Sequence, residues 1–251
     1  MEARGPYRLR PGYVVVRRDN GHLQVGIDPP RRVILRDNAE VRRLLYDLVG
    51  SAAAPSTGTA RAALARLHAA DLVIDSADPP PPAPAVQVRG PTEISEFFST
   101  LLGPATATDP QLVVLLAAGA LARERADDVM RAGTAHLIVQ GGADRWQIGP
   151  LVVPGVTACV RCVDAALGED DPRRALVVEQ AARAGAPPAD PLLQSLALAW
   201  AARDVLAYLA GQEVASLSGT VTVTRTRNAE VRRWLRHPHC GCAWDLVALA
   251  E

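Results

Sequence analysis

The feature that most constrains the fold of this 251-residue chain is its set of four cysteines, which fall in two close pairs. Cys159 and Cys162 have the spacing C-x2-C in TACVRCVD, and Cys240 and Cys242 have the spacing C-x-C in HPHCGCAW. Two short chelating turns of this kind can each supply one edge of a tetrahedral thiolate site. A fold that joins them must return the last part of the sequence to its middle.

Zinc is the metal that this pattern predicts. The N-terminal sequence lacks the apolar core of a signal peptide, and no apolar run reaches the roughly 18 residues of a membrane span. We therefore expect a cytoplasmic protein with no membrane association, in a compartment where thiolates persist and structural disulfides are rare. Four thiolates close the site, so the zinc would be structural. The alternatives are buried free thiols, a redox pair at Cys159 and Cys162, or His237 or His239 in place of one thiolate.

Charge and composition exclude several kinds of chemistry. The 27 basic residues are all arginine, they balance 27 acidic residues, and the sequence contains no lysine. A Schiff base, a P-loop lysine and a lysine general base are therefore excluded. A neutral chain also provides no overall field that would attract nucleic acid, so we expect no nucleic-acid partner.

A proline-rich segment, residues 76–85 (SADPPPPAPA), predicts a stiff linker because neither a helix nor a central strand continues through it. It separates residues 1–75 from residues 86–251, and the chain is long enough for two domains. The overall fold class predicted is α/β, with a small α+β domain followed by a larger α/β domain.

The first domain is expected to be winged-helix-like. Three short β patterns at 13–18, 22–27 and 32–36 precede two amphipathic helices at 38–49 and 59–70, and a short strand at 71–75 (DLVID) follows them. The turn between the first two strands has the residues of a tight hairpin. Asp37 or Asn38 would cap the first helix.

Such a domain can bind DNA, bind a peptide, or serve only as a packing domain without a ligand. The helices lack a strongly basic face, which disfavours DNA. In peptide capture, an extended ligand adds a strand to an exposed sheet edge beside a helix. The third strand is the expected free edge, and its arginines would favour an acidic peptide. The predicted peptide-binding residues are Arg32, Val33, Ile34, Leu35 and Arg36 on the strand and Arg61, Ala62, Ala65 and His68 on the helix.

The second domain begins with strand and helix patterns in alternation, which predicts a Rossmann-like parallel sheet. The first strand–helix junction, however, reads Gly90-Pro91-Thr92-Glu93. It lacks the further glycines of a phosphate-binding loop, removes one amide donor and adds a carboxylate. Nucleotide binding at this loop is therefore disfavoured.

A long apolar helix is predicted within residues 191–213. Its apolar positions, Leu193, Leu196, Ala197, Trp200, Val205 and Leu209, form a nearly continuous surface. The helix must lie in the core or in a subunit interface, and the second case would make the protein a homodimer. A final strand, SLSGTVTVTRT, precedes the second cysteine pair.

The segments IGPLVVPGVTACVRCVD and WLRHPHCGC together resemble the ThiF-like proteins, kin of the ubiquitin-activating enzymes, that work with YcaO cyclodehydratases in making azoline- and azole-containing ribosomal peptides. The resemblance implies structural zinc at the four cysteines and a truncated Rossmann-like domain. It also implies that residues 10–75 are similar to the PqqD-like element that binds precursor leader peptides. That element normally has three helices, and residues 51–58 leave little room for the middle one.

The function implied by this resemblance is that of a non-catalytic partner. Such a protein would bind the leader region of a ribosomal precursor peptide and present its core to a YcaO-type enzyme, because a glycine-rich loop and the ATP-binding residues of the activating enzymes are not evident. The alternatives are an ATP-dependent adenylyltransferase of the ThiF type, acting on a peptide or carrier-protein C-terminus, and a DNA-binding regulator.

Overall fold

The computed structural model describes residues 6–75, 83–103, 109–186, 188–226 and 229–243. The chain divides into two compact units, Met1–Pro81 and Pro82–Glu251. Of the predicted linker, residues 76–82 lie outside the described part of the chain. In that described part, no helix is both long and apolar enough to cross a membrane.

The described residues of the first unit form five strands in two sheets. Strands β2 (Val15–Asp19), β3 (His22–Val25) and β4 (Val33–Arg36) form an antiparallel sheet in that order, so β4 is an edge strand. The sequence predicts these three strands. It also predicts the short strand within 71–75, which is β5 (Val73–Asp75), but not the antiparallel partner of β5, the three-residue strand β1 (Tyr7–Leu9).

Two helices cover the first unit's sheets, α1 (Ala39–Gly50) and α2 (Gly58–Ala69). The side chain of Asn38 caps α1 by accepting a 2.9 Å hydrogen bond from the Val41 amide. The Thr57 hydroxyl caps α2 in the same way. The segment 51–57 between them forms no helix, as its length predicts.

Hydrophobic burial joins these elements into one core. Leu48, Leu67 and Leu72 are fully inaccessible to solvent, and Val33 and Leu35 of β4 lie in the same cluster. Alternation along β4 therefore turns two side chains to the core and leaves Ile34 and Arg36 more accessible.

Between residues 83 and 243, the described part of the second unit contains a six-stranded mixed sheet in the order β11-β10-β9-β8-β7-β6. The strands are β6 (Val86–Arg89), β7 (Leu112–Ala118), β8 (His136–Gly141), β9 (Arg145–Val152), β10 (Gly219–Thr224) and β11 (Glu230–Arg233). The helices are α3 (Thr92–Leu102), α4 (Arg123–Arg131), α5 (Val160–Gly168), α6 (Arg174–Arg183) and α7 (Pro191–Leu209).

The predicted parallel sheet forms one half of the observed sheet, and the other half is antiparallel. Strands β6, β7 and β8 are parallel and alternate with α3 and α4, whereas β9, β10 and β11 run antiparallel to their neighbours. Only three residues separate β8 from β9, which is too short for the crossover that a parallel pair requires. Strand β11 was not predicted, because its four residues are all exposed.

Gly90 closes the junction between β6 and α3. A Cβ atom at this position would lie 2.6 Å from the Leu116 Cβ and 2.9 Å from the Leu116 carbonyl oxygen. The absence of a side chain therefore lets the chain pass close to β7. Close packing against β7 therefore accounts for the glycine at this junction.

Helix α7 packs on β8, β9 and β10 through one side. Leu193, Ala197 and Val205 are buried, as the sequence predicts. Leu196, expected on the same apolar surface, is instead 53% exposed. At about 100° per residue, Leu196 lies about 60° beyond Leu193, which is itself at the edge of the buried side of the helix, so Leu196 faces away from the sheet.

Candidate metal centre and peptide groove

The four cysteines form a compact cluster at the start of α5. Cys159 is the N-cap residue of α5 and Cys162 lies in its first turn, while Cys240 and Cys242 follow β11. The Sγ atom of Cys159 lies 3.7 Å from that of Cys162, 3.6 Å from that of Cys240 and 3.5 Å from that of Cys242. All four sulfur atoms lie within 4.8 Å of one another.

These separations fit a tetrahedral zinc site. With zinc–sulfur bonds of about 2.3 Å, neighbouring sulfur atoms of a tetrahedron are about 3.8 Å apart. The Sγ atoms of Cys162 and Cys242 are 3.2 Å apart, which is far longer than a disulfide bond. The donor set and its geometry therefore fit one divalent ion with no position left for water or substrate.

Hydrogen bonds hold the two cysteine pairs in place. The Ser218 hydroxyl accepts from the Ala158 amide at 3.1 Å and donates to the Trp234 carbonyl at 2.8 Å, which joins the residue before Cys159 to the segment before Cys240. A guanidinium nitrogen of Arg236 donates to the Cys242 carbonyl. Neither Ser218 nor Arg236 was identified from sequence, because both lie outside the cysteine spacing.

Trp234 forms part of the cluster's apolar wall. It is 6% exposed and packs with Cys159, Cys162 and Cys240. Its indole N–H donates to the Thr220 hydroxyl at 2.9 Å, and the guanidinium carbon of Arg232 lies 4.0 Å from the ring centroid. The indole therefore couples the cysteine cluster to β10.

The thiol pKa values reflect close packing of sulfur atoms. Hydrogen bonding from the Cys159 thiol, together with the backbone N–H of His237, lowers the pKa of Cys162 to about 4. Burial raises the pKa of Cys242 to about 12, and the bond to Cys162 raises the pKa of Cys159. The cluster therefore favours a thiolate at Cys162, and ionising the neighbouring thiols of Cys159 and Cys242 as well requires a bound cation.

The two histidines proposed as alternative ligands are not members of this cluster. The Nε2 atom of His237 lies 3.0 Å from a carboxylate oxygen of Glu169, and its Nδ1 atom accepts from the backbone N–H of His239 at 3.2 Å. Both ring nitrogens of His237 are therefore engaged away from the sulfur atoms.

A second candidate site is a groove between β4 and α2. Its volume is about 440 Å³, and it is lined by Pro30, Arg32, Val33, Ile34, Arg66, Ala69 and Ala70. An adjoining cavity of about 580 Å³ shares Pro30, Ala69 and Ala70 with it. Strand β4 has no strand partner on this side among the described residues.

Ion pairs fix one end of the groove. Asp71, just after α2, accepts hydrogen bonds from the guanidinium groups of Arg31 and Arg10. The bond from Arg31 lowers the pKa of the Asp71 carboxyl. Because Arg31 immediately precedes the groove residue Arg32, this pair sets the distance between β4 and the end of α2.

The predicted peptide-binding residues are placed in three ways. Arg32, Val33 and Ile34 line the groove, while Leu35 is buried beneath it and Arg36 is exposed at the end of β4.

On α2 the predicted residues lie along one exposed side. Ala62 and Ala65 lie seven and four residues before Ala69 and share its face of the helix. Arg61 and His68 are exposed about 80–100° round the helix from Ala69, on the flank next to Ala65. Sequence reasoning missed Arg66, Ala69 and Ala70, since the face of α2 that opens beside β4 depends on tertiary packing.

Comparisons with known proteins bear on the fold. No protein-family model and no curated protein matches the sequence. Among solved structures, the heterocyclase TruD matches 94% of this chain and 42% of its own, with 17% identity and a TM-score of 0.71. A heterocyclase in complex with substrate and cofactor matches 95% of this chain and 39% of its own, with 15% identity and a TM-score of 0.69.

The match to E. coli MccB spans that protein almost completely. The structure of MccB with AMPCPP and selenomethionine MccA matches 95% of this chain and 99% of its own, with 13% identity and a TM-score of 0.63. The fold is ThiF-like. The predicted α/β class is thereby confirmed. This chain spans about two fifths of the length of the two heterocyclases.

Proposed function

We propose that this protein binds the leader region of a ribosomal precursor peptide in the groove between β4 and α2. It presents the core of that peptide to a YcaO-type cyclodehydratase for azoline and azole formation, and it is itself non-catalytic. The single observation that carries this proposal is the open edge of β4 beside α2 in a chain whose fold matches heterocyclase structures.

The groove has the features that capture by strand addition needs. An extended peptide beside β4 gains main-chain hydrogen bonds from the unpaired edge. Alternate side chains of that peptide would face α2, where Ala62, Ala65 and Ala69 are small enough to leave space. The first unit then acts as the winged-helix-like, PqqD-like recognition element of a cytoplasmic protein.

Charge favours an acidic leader. Arg32, Arg36 and Arg66 are exposed around the groove and make no ion pair with any described residue. Arg31, by contrast, is engaged by Asp71. Exposed arginine–carboxylate pairs contribute about 0.2–1 kcal/mol each, so the affinity should be micromolar to high nanomolar and modestly sensitive to salt.

The cysteine cluster supports a structural role for zinc. Cys159, Cys162, Cys240 and Cys242 would hold the ion and fix the segment after β11 to α5. Structural zinc contributes roughly 10–16 kcal/mol of apparent binding energy in small peptides. Zinc held in this way stabilises the second unit and takes no part in chemistry.

The second candidate function is an ATP-dependent adenylyltransferase acting on a peptide or carrier-protein C-terminus. It is favoured by the resemblance to MccB, which has been solved with ATP and with MccA. The junction after β6 argues against it. Gly90 serves close packing, Glu93 places a carboxylate in the first turn of α3, and the sequence has no lysine.

Arg125 strengthens the argument against nucleotide binding. Its guanidinium group donates to the Leu116 carbonyl at 3.2 Å and to the Arg89 carbonyl at 2.8 Å, across the carboxyl ends of β6 and β7. These strand ends border the crevice where doubly wound folds bind nucleotides. The Arg125 side chain is therefore hydrogen-bonded to main-chain carbonyl groups at that crevice.

Reconstitution tests the proposal. The YcaO-type enzyme and precursor peptide encoded beside this gene are incubated with ATP, with and without this protein, and loss of one water per ring is followed by mass spectrometry. Ring formation should require this protein and an intact leader. Pyrophosphate exchange by this protein alone, with no YcaO enzyme present, would instead support the adenylyltransferase.

A further inference from the structure

The first unit contains a cleft, the α1 cleft, between helix α1 and the segment 51–57. Its volume is about 960 Å³. The segment runs back along the helix, because Ser51 is the C-cap of α1 and the Thr57 hydroxyl donates a 2.8 Å hydrogen bond to Glu40 in the first turn. A helix of 12 residues is about 18 Å long, so the α1 cleft has the length of about five residues of extended chain.

The segment 51–57 offers main-chain groups that can pair with another strand. Ala52 exchanges two hydrogen bonds with Tyr7 of β1, at 2.7 and 2.6 Å. Main-chain groups alternate in direction along a paired strand, so those of Ala53 point away from β1. Of the described residues that line the α1 cleft, none belongs to β1, so the cleft lies on the other side of the segment. The Ala53 N–H and C=O groups make no hydrogen bond with any described residue.

Charged side chains form the α1 wall of the cleft. Glu40, Arg43 and Asp47 are exposed and follow one another at intervals of three and four, which places them in one stripe along the helix. Within the described part of the chain, none of the three has an ion-pair partner. The last turn of α1 contains no basic residue, so Asp47 adds its charge to the negative end of the helix dipole. This end of the cleft therefore favours a cationic group.

Two exposed apolar side chains line the same end of the α1 cleft. Tyr46 is 82% exposed and Val49 is 71% exposed. Aromatic side chains are enriched where proteins contact one another, and a free strand edge binds extended polypeptide. The combination of a strand edge, an aromatic ring and an unpaired carboxylate fits a basic, extended segment of another protein. Two carboxylates against one guanidinium group disfavour nucleic acid.

We propose that the α1 cleft binds an extended segment of the YcaO-type enzyme, whose main chain pairs with Ala53 and whose lysine or arginine side chain reaches Asp47. This inference rests on the proposed function, which requires the protein to contact that enzyme while the groove between β4 and α2 holds the leader. A second surface must therefore serve the enzyme.

The two sites can be occupied at the same time. Ala60 in the first turn of α2 lines the α1 cleft, and Ala69 in its last turn lines the groove. Ala69 follows Ala60 by nine residues, which corresponds to about 14 Å of helix. The arginines around the groove favour an acidic ligand and the carboxylates of the α1 cleft favour a basic one, so charge directs each ligand to its own site.

Biolayer interferometry tests the proposal, with the full-length protein in solution and the YcaO-type enzyme encoded beside this gene immobilised. Asp47→Arg, which reverses the charge at the end of the cleft, should weaken enzyme binding about tenfold or more, as a change at an interface centre does. Ala53→Pro should have a similar effect, because it removes the outward N–H without breaking a hydrogen bond to any described residue.

Each variant has a matched control. Glu96→Arg makes the same change in net charge at an exposed residue of α3, and Ala54→Pro removes an N–H that points the opposite way from that of Ala53. Both controls should bind the enzyme as wild type does, and all four variants should retain wild-type affinity for the leader.

The outcomes separate this inference from the proposed function. If wild type binds the leader but not the enzyme, the proposed function and the cleft assignment are both wrong. If wild type binds the enzyme, and the cleft variants bind it as tightly or the controls weaken it equally, the cleft assignment alone is wrong. Weaker leader binding with unchanged enzyme binding would also overturn it, because the peptide would then occupy the α1 cleft.

Discussion

The Sγ atoms of Cys162 and Cys242 lie 3.2 Å apart, although 80 positions separate these residues in the sequence. Helices α6 and α7 and the hairpin of β10 and β11 fill the interval between them. The cysteine cluster therefore closes a long loop of structure onto the start of α5. An ion bound there would stabilise the second unit through all of these elements.

We predict one zinc ion per chain. The Cys240→Ser variant should lose zinc and melt at a clearly lower temperature, because structural zinc contributes roughly 10–16 kcal/mol of binding energy in small peptides. Trp234, which packs against the cysteines, should become exposed and shift its emission to the red. Metal analysis and tryptophan fluorescence measure these effects.

The matched control for this variant is His239→Ala. His239 directly precedes Cys240, but its ring is not a member of the cysteine cluster. That variant should retain zinc in full. Wild type purified without chelator that holds less than about half an equivalent, or a Cys240→Ser protein that melts like wild type, would refute the zinc assignment.

A second prediction concerns Ser218, whose hydroxyl bridges the Ala158 amide and the Trp234 carbonyl. Ser218→Ala should destabilise the second unit by about 1–3 kcal/mol, the usual cost of leaving such groups unsatisfied. Chemical denaturation followed by tryptophan emission measures the change. Ser99→Ala, which removes a hydroxyl from the exposed side of α3, should change stability little; equal effects would contradict the bridging role.

The third prediction concerns pH. The Asp37 carboxylate, 3% exposed, pairs with Arg42, and this hydrogen bond holds the pKa of Asp37 below its ordinary value of 3.8. Its contribution to stability is therefore complete above about pH 4 and is lost as the pH falls through the folded pKa. The first unit of wild type should lose stability in that range, whereas Asp37→Asn should already be less stable at pH 7.

Circular dichroism can follow this loss for the whole chain. All four tryptophans, Trp146, Trp200, Trp234 and Trp244, lie beyond residue 81, so tryptophan emission reports only the second unit. That emission should show no difference between wild type and Asp37→Asn. If the two proteins have the same pH dependence by circular dichroism, the ion pair does not stabilise the first unit.

Much of the fold was predictable from sequence because the signals are local. The Asn38 cap, the spacing of Val41, Leu44 and Leu48, and the apolar run of β7 each determine an element within a few residues. The cysteine cluster was predictable for a different reason, since two chelating cysteine pairs in one chain indicate a shared tetrahedral site.

The remainder depends on tertiary context. Strand β11 is fully exposed and gains its strand structure from pairing with β10. Arg66 and Ala69 line the groove because of the angle at which α2 packs on β4, and no spacing in the sequence specifies that angle. Ser218 joins two segments that are distant in sequence, and a lone serine gives no signal of such a role.

The fourth prediction is that the protein alone neither binds Mg-ATP nor forms an acyl-adenylate. The Gly90 junction is closed by contact with β7, and Arg125 is engaged by main-chain carbonyls at the same strand ends. Isothermal titration with Mg-ATP should show no heat of binding. A micromolar dissociation constant would favour the adenylyltransferase.

The measurement that tests the account most directly is fluorescence polarisation with the labelled leader of the precursor peptide encoded beside this gene. Wild type is compared with Arg32→Glu/Arg66→Glu, which reverses charge in the groove, and with Arg18→Glu/Arg43→Glu, which makes the same charge change elsewhere on the first unit. Both variants have equal net charge, so long-range electrostatics are matched. We predict micromolar or tighter binding by wild type, a loss of about tenfold or more in the groove variant and less than about threefold in the control. Equal affinity of the groove variant and wild type would contradict the assignment of the peptide site to β4 and α2.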